Sequence, residues 1–195
     1  MRKIVIFFLL CCLTNIFSGC GIAGSQNLSD ETQIFKSETK AAAEKNVLVA
    51  YYSRSGHTRT AAEAMHQLVG GTLYEIKPEQ PYSSVYRECT DRARRERDMN
   101  ARPTVIGKVA DIDKYDIIFV GYPIWGGKAP MFIYTFLESY DLYGKKIIPF
   151  ATSGGSGIDG SISDLKKSAA GATVQEGLLC NDIKEIEPYL QKMHL

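Results

Sequence analysis

The segment Ser53-Arg54-Ser55-Gly56-His57-Thr58 constrains this chain most. It follows the apolar run Val47-Leu48-Val49-Ala50-Tyr51-Tyr52 directly. It precedes Thr58–Val69, which sets Ala61, Met65, Leu68 and Val69 on one face at helical spacing. The pattern predicts a strand, a hydroxyl-rich turn and a helix N-terminus. The first N–H groups of a helix lack internal partners and sit at the positive end of its dipole, so such a turn attracts an anion. Three hydroxyls add donors, and Gly56 lets the backbone curl closely around a phosphate. The turn has no lysine, although the Arg54 side chain is within reach. Neutral donors suit a phosphate monoester, such as that of flavin mononucleotide (FMN), better than a triphosphate with magnesium.

The N-terminus bears on the compartment. Met1-Arg2-Lys3 is a short positive region, and Ile4 to Phe17 is almost wholly apolar. Those 14 residues are short for a bilayer span but suit the apolar core of a secretory signal. Phe17-Ser18-Gly19-Cys20 then puts small residues before a cysteine, which resembles the bacterial lipoprotein signal. The resemblance implies a signal peptide over 1–19, acylation of Cys20 as the mature N-terminus, and lipid anchoring to a membrane of a bacterial cell envelope. An ordinary cleaved signal or an uncleaved anchor are the alternatives. Loss of Arg2 and Lys3 takes 23 basic residues to 21 against 22 acidic, formally −1. That balance gives no support for nucleic-acid binding. Cys89 and Cys180 would be the remaining thiols; they form no CxxC pair, so neither a metal site nor a thioredoxin-like motif is indicated.

Residues 20–45 read as a flexible tether, polar and without a sustained apolar period, reaching roughly 25–30 Å as a coil. The folded domain is expected over 46–195, about 150 residues, enough for one domain with a normal core. β-Branched or aromatic runs recur at Val47–Tyr52, Thr72–Ile76, Asp116–Gly121, Lys146–Ala151 and Thr173–Leu179. Helical stretches alternate with them: Thr58–Val69, Ser84–Asn100, Ala129–Ser139, Ile158–Ser168 and Ile183–Met193. The Asp91–Asp98 run has mixed sign and reads as a solvated helix face. Five strands interleaved with helices imply an α/β fold, a parallel sheet covered on both faces.

In such a sheet, ligands bind beyond the carboxyl ends of the strands, where the strand order reverses. The loops after the first, third and fourth strands are the unusual ones: Ser53–Thr58, Gly121-Tyr122-Pro123-Ile124-Trp125-Gly126-Gly127-Lys128-Ala129-Pro130, and Thr152-Ser153-Gly154-Gly155-Ser156-Gly157-Ile158-Asp159-Gly160. Lys77-Pro78-Glu79-Gln80-Pro81, after the second, reads as an ordinary turn, and Lys128 as solvent-exposed. In the order 2-1-3-4-5 the three unusual loops converge on one crevice.

Together these loops resemble the flavodoxin family, over nearly all of Val47 to Leu195. The resemblance implies a doubly wound five-stranded parallel sheet of order 2-1-3-4-5 in a three-layer α/β/α sandwich. It implies FMN, with Ser53, Ser55, Gly56, His57 and Thr58 around the phosphate. Pro123, Ile124, Trp125 and Gly126 would line the isoalloxazine ring, and Thr152, Ser153, Gly154 and Gly155 would approach its other edge. The family commonly has asparagine where this chain has His57, and often a second tryptophan where it has Gly126.

FMN brings the redox chemistry and the protein tunes it. A one-electron shuttle benefits from acidic groups and from aromatics on both ring faces, and these loops supply little of either. One ring face is then open to a nicotinamide or a quinone, unless Tyr82, Tyr86 or Tyr122 covers it. The Gly-rich fourth loop also resembles NAD(P)H:quinone reductases of the flavodoxin-like fold. The expectation leans to an FMN-dependent oxidoreductase of quinone-like acceptors with NAD(P)H. The alternatives are a membrane-tethered electron carrier serving a redox protein, and a domain that kept the fold but lost the cofactor.

Overall fold

The computed structural model describes residues 46–195; the expected signal peptide, Cys20 and tether lie outside the described residues. Strand β1 (Val47–Tyr51) is buried throughout, as is most of β5 (Ile117–Pro123), which matches their unbroken apolar sequence. Strand β6 (Lys146–Thr152) pairs parallel with β5, and β2 (Thr72–Glu75) parallel with β1. The fifth position is shared by two short strands, β7 (Thr173–Val174) and β8 (Leu178–Leu179), both parallel to β6. The order β2-β1-β5-β6-β7 is the expected 2-1-3-4-5.

Helix α1 (His57–Val69) and α5 (Ile186–Lys192) cover one face. There Ala61, Met65, Ile186 and Leu190 pack on Val49, Phe119, Ile148 and Phe150. Helices α2 (Tyr86–Asp98), α3 (Met131–Glu138) and α4 (Asp159–Ser168) cover the other. There Cys89, Phe132, Phe136 and Leu165 pack on Leu48, Ala50, Ile118 and Val120. Each fully buried side chain of this size contributes about 1.5–3 kcal/mol. Phe119→Ala, at 1% exposure in the central strand, would cost about 3–5 kcal/mol.

Three local readings are corrected. Lys77-Pro78 is not merely a turn: it forms β3 (Lys77–Pro78), antiparallel to β4 (Val105–Ile106). Two residues are too few to show a period, so nothing in the sequence announces this ribbon. The last strand is not continuous either. Val174 pairs with Ile147 and Leu178 with Phe150, so the edge takes four steps while β6 takes three. One extra residue forms a bulge around Gln175–Gly177. The final helix begins as a 3-10 turn, Ile183–Glu185, before α5.

Register places the loops. Tyr51 pairs with Gly121, and Pro123 with Thr152, so β1, β5 and β6 end side by side.

Candidate functional site

Gly56 caps α1 with φ +96°, a left-handed conformation that glycine adopts without strain, and no side chain caps the helix. The N–H groups of the first turn therefore stay available to an anion. The Gly56 N–H donates to Ser53 Oγ at 3.1 Å, which closes the turn. Ser55 Oγ and His57 Nδ1 lie 3.0 Å apart at the surface. Arg54 turns away from this nest and donates to the Ser84 carbonyl at 3.1 Å. Thr58 is 2% exposed, and its hydroxyl pairs with that of Thr152 at 2.8 Å. Its backbone, rather than its side chain, is what the turn can offer to a ligand.

After β5, Trp125 and Lys128 exchange two backbone hydrogen bonds, at 2.9 and 3.3 Å, around Gly126 and Gly127. Their φ values of +59° and +80° belong to a type I′ turn, which β-carbons disfavour. The Trp125 ring meets Tyr82 edge-on at 4.8 Å and Tyr52 at 5.9 Å. A β-carbon on Gly126 would collide with Arg97 Nη1. A guanidinium thus fills the space that a side chain at position 126 would take. After β6, Ile124 N–H donates to the Thr152 carbonyl at 2.9 Å, locking two loops together. Ser153 N–H donates to Asn181 Oδ1, and Asn181 Nδ2–H donates back to the Ser153 carbonyl, both at 2.9 Å.

A cleft of about 840 Å³ opens over these strand ends, a normal size for a small-molecule site. Ser55, His57, Pro123, Ile124, Trp125, Gly126, Thr152, Ser153 and Gly154 line it. Ser53, Gly56, Thr58 and Gly155 do not. Ser53 and Gly56 support the first loop from behind, and Gly155 N–H is engaged by Ser153 Oγ at 3.2 Å.

The far wall was not foreseen. Tyr86, Cys89, Thr90, Ala93, Arg94 and Arg97 of α2 line the cleft. The Asp91–Asp98 run is therefore not simply a solvated face: Ala93 and Glu96 are buried and Arg97 is half-buried. Arg92 Nε donates to Glu96 at 2.7 Å, its guanidinium lies 4.0 Å over the Tyr82 ring, and the Tyr82 hydroxyl donates to Glu96. Of the tyrosines expected near the ring, Tyr122 is fully buried against Ser161, and Tyr82 sits beneath Trp125. Tyr86 stands at the mouth, 74% exposed.

Cys89 and Cys180 are both free and buried, and both line the cleft. Burial raises the Cys89 thiol and pushes Cys180 up to about 11. Lys128 is not merely exposed: its Nζ donates to Asp164 at 2.7 Å, which holds that carboxyl below its ordinary range. Three arginines and no carboxylate line the cleft. Among the described residues no three His, Cys, Asp or Glu side chains cluster for a metal, and no helix is long and apolar enough to cross a membrane.

The family model described as flavodoxin matches residues 46–193. A candidate flavoprotein of Bacteroides eggerthii is 42% identical; the match covers 77% of this chain and 98% of that one, with a TM-score of 0.70. Another, from Bacteroides uniformis, is 34% identical over 76% of this chain and 99% of that one, with a TM-score of 0.69. A flavoprotein of Lactobacillus acidophilus, solved in complex with FMN, is 28% identical over 74% and 98%, with a TM-score of 0.64. No curated protein matches the sequence significantly.

Proposed function

The chain belongs to the flavodoxin family, and from that premise we propose that it binds FMN and uses it as an oxidoreductase, moving two electrons from NAD(P)H to quinone-like acceptors. The uncapped start of α1 suits the phosphate, with the Ser55 hydroxyl and the backbone N–H groups of His57 and Thr58 as its donors, while Ser53 and Gly56 close the turn behind them. The Pro123–Gly126 turn and the Thr152–Gly155 loop flank the space for the ring. The Lactobacillus relative, crystallised with FMN, supports the same cofactor here. When bound, FMN supplies hydride and single-electron chemistry.

The observation that carries the two-electron reading is the charge of the wall: Arg54, Arg94 and Arg97, with no carboxylate. Cations in a partly desolvated cleft favour negative charge on a reduced ring, and with it uptake of both electrons together. The Arg97 guanidinium fills the space beside Gly126 that a side chain there would take, so charge rather than an aromatic ring lies next to that turn.

An anaerobic reductive titration of the FMN-loaded chain tests this. Bleaching in one two-electron step is expected, followed by reoxidation with a quinone. A long-lived, long-wavelength one-electron form would instead assign the chain to electron carriage for a protein partner. A colourless protein after incubation with FMN would overturn cofactor binding itself. Acylation at Cys20 would hold the domain at a membrane of the cell envelope, a reading supported by the apolar stretch and small residues before it. Cys20→Ala should then move the protein from the membrane to the soluble fraction.

A further inference from the structure

Arg94 and Arg97 stand three residues apart on α2, so one helix face presents both to the cleft. Neither guanidinium donates a hydrogen bond among the described residues. Arg97 meets only Asp98, at 3.8 Å, and Arg94 only Asp91, also at 3.8 Å. Asp164, across the smaller cavity that Arg97 also borders, is already held by Lys128 at 2.7 Å and Lys167 at 3.4 Å.

Arg102 provides the contrast. Its side chain is 34% exposed and that of Arg97 32%, so the two are equally enclosed. Arg102 donates to Glu138 at 2.7 and 3.0 Å and to Asn100 at 2.8 Å, as an arginine with a structural task does. Arg97 has the same burial and none of those bonds. A guanidinium carries five donors, and enclosing it without acceptors is unfavourable, which points to an acceptor that enters the cleft.

We propose that Arg97 and Arg94 bind an oxyanion borne on the ring of the acceptor, so that the chain selects acidic quinone-like substrates, carboxylate-bearing ones above all. The proposal rests on the flavin reading for what reacts there. The Arg97 guanidinium fills the space beside Gly126, in the turn expected to line the flavin ring, so its charge sits where an acceptor must come. The FMN phosphate has its own nest at the start of α1. In a dinucleotide the nearest phosphate is a ribose away from the reacting ring, whereas a ring carboxylate lies beside it. Two carboxylate oxygens match the guanidinium fork. Tyr86 and Ile183, 74% and 50% exposed at the cleft, offer apolar surface to the ring that carries it.

Absorbance titration of the FMN-loaded full chain, purified in detergent, tests this with benzoate and its uncharged analogue benzamide. Benzoate should bind in the millimolar range or tighter, and more tightly than benzamide. Arg97→Gln should weaken benzoate about tenfold, the scale of a hydrogen bond between charged groups, and leave benzamide unchanged. Arg97→Lys, which keeps the charge but not the fork, should fall between. Arg94→Gln should weaken benzoate less; at 63% exposure it keeps the test where Arg97→Gln does not fold. Arg95→Gln, exposed and away from the cleft, should change nothing. Calorimetry on flavin-free Ser55→Glu protein, whose phosphate nest is closed to anions, reads the arginines alone. Benzoate binding there that Arg97→Gln removes upholds the anion site even where FMN fails to load. Equal binding of benzoate and benzamide, or benzoate binding indifferent to both glutamine variants, overturns the proposal. So does Arg97-dependent binding of pyrophosphate but not benzoate, which would give the arginines to a dinucleotide.

Discussion

The hydroxyls of Thr58 and Thr152 meet at 2.8 Å and tie the first turn of α1 to the end of β6 across 94 residues. The bond joins the loop at the expected phosphate to the loop at the expected ring edge. Thr58→Val keeps the shape and leaves the Thr152 hydroxyl without its partner. We expect a stability loss of about 1–2 kcal/mol by denaturant unfolding and a weaker hold on FMN. Full stability with full affinity would mean that the bond does not couple the loops.

Ser55 sits on the cleft side of the nest, beside the uncapped N–H groups of α1. Ser55→Glu sets a carboxylate where the phosphate is expected, and should abolish FMN binding in a fluorescence-quenching titration. Being exposed, the substitution should leave the unfolding midpoint nearly unchanged. Unaltered affinity would remove the phosphate from this loop.

The half of the site built from loops was legible because each loop breaks its local pattern. Hydroxyls and Gly56 interrupt an apolar run, and Trp125 stands among glycines and a proline in a segment too short for a helix. The α2 wall was not legible. Alternating charge reads the same whether arginines face water or a polar cleft, and only the way α2 packs, with Cys89 and Ala93 buried, turns Arg94 and Arg97 to the cleft. Asn181 carries no signal either, since its pairing with Ser153 depends on where the bulged edge strand ends. The strand order was legible because central strands buried on both faces write unbroken apolar runs, whereas the two-residue β3 and β4 are below any period.

Trp125 contributes in two ways. Its ring leans edge-on against Tyr82 and Tyr52, and its loop borders the cleft. Trp125→Ala should weaken FMN binding by about 1–3 kcal/mol, the scale of an aromatic stacking contact. Trp125→Phe should recover much of the lost stability through the Tyr82 contact, but less of the affinity. Calorimetric losses well below 1 kcal/mol for the alanine variant would place the ring away from Trp125.

Acid should unfasten the ion pairs that tie α3 and α4 to their neighbouring loops. The hydrogen bond from Lys128 is the main cause holding Asp164 below its ordinary 3.8, and that from Arg102 holds Glu138 below 4.5. Groups whose folded pKa is depressed contribute stability above their unfolded values and lose it as pH falls through the folded ones. The wild-type unfolding midpoint should therefore drop below about pH 4. Asp164→Asn and Glu138→Gln should each flatten that fall. Both pairs are about a third exposed, so each effect is modest and shrinks with salt. An unchanged slope in the double variant would show that these pairs are not linked to folding.

Arg97 and Arg94 offer a measurement that separates charge from shape. Arg97 is the more enclosed, with its side chain 32% exposed against 63% for Arg94, and its guanidinium fills the space at Gly126. A cation lining the cleft would stabilise negative charge on a reduced ring by an amount on the order of 1–2 kcal/mol at an effective dielectric constant of about 20, less where salt screens it. For a two-electron couple, 1–2 kcal/mol corresponds to about 20–40 mV. Arg97→Gln should therefore lower the flavin potential by about that amount, and Arg94→Gln by less. Arg95→Gln, on the same helix but exposed and away from the cleft, should not move it. Arg97→Gln should also favour a one-electron form relative to the wild type, because a charge that would favour the second electron is gone. Equal potentials in all three variants would detach the arginine wall from the redox chemistry.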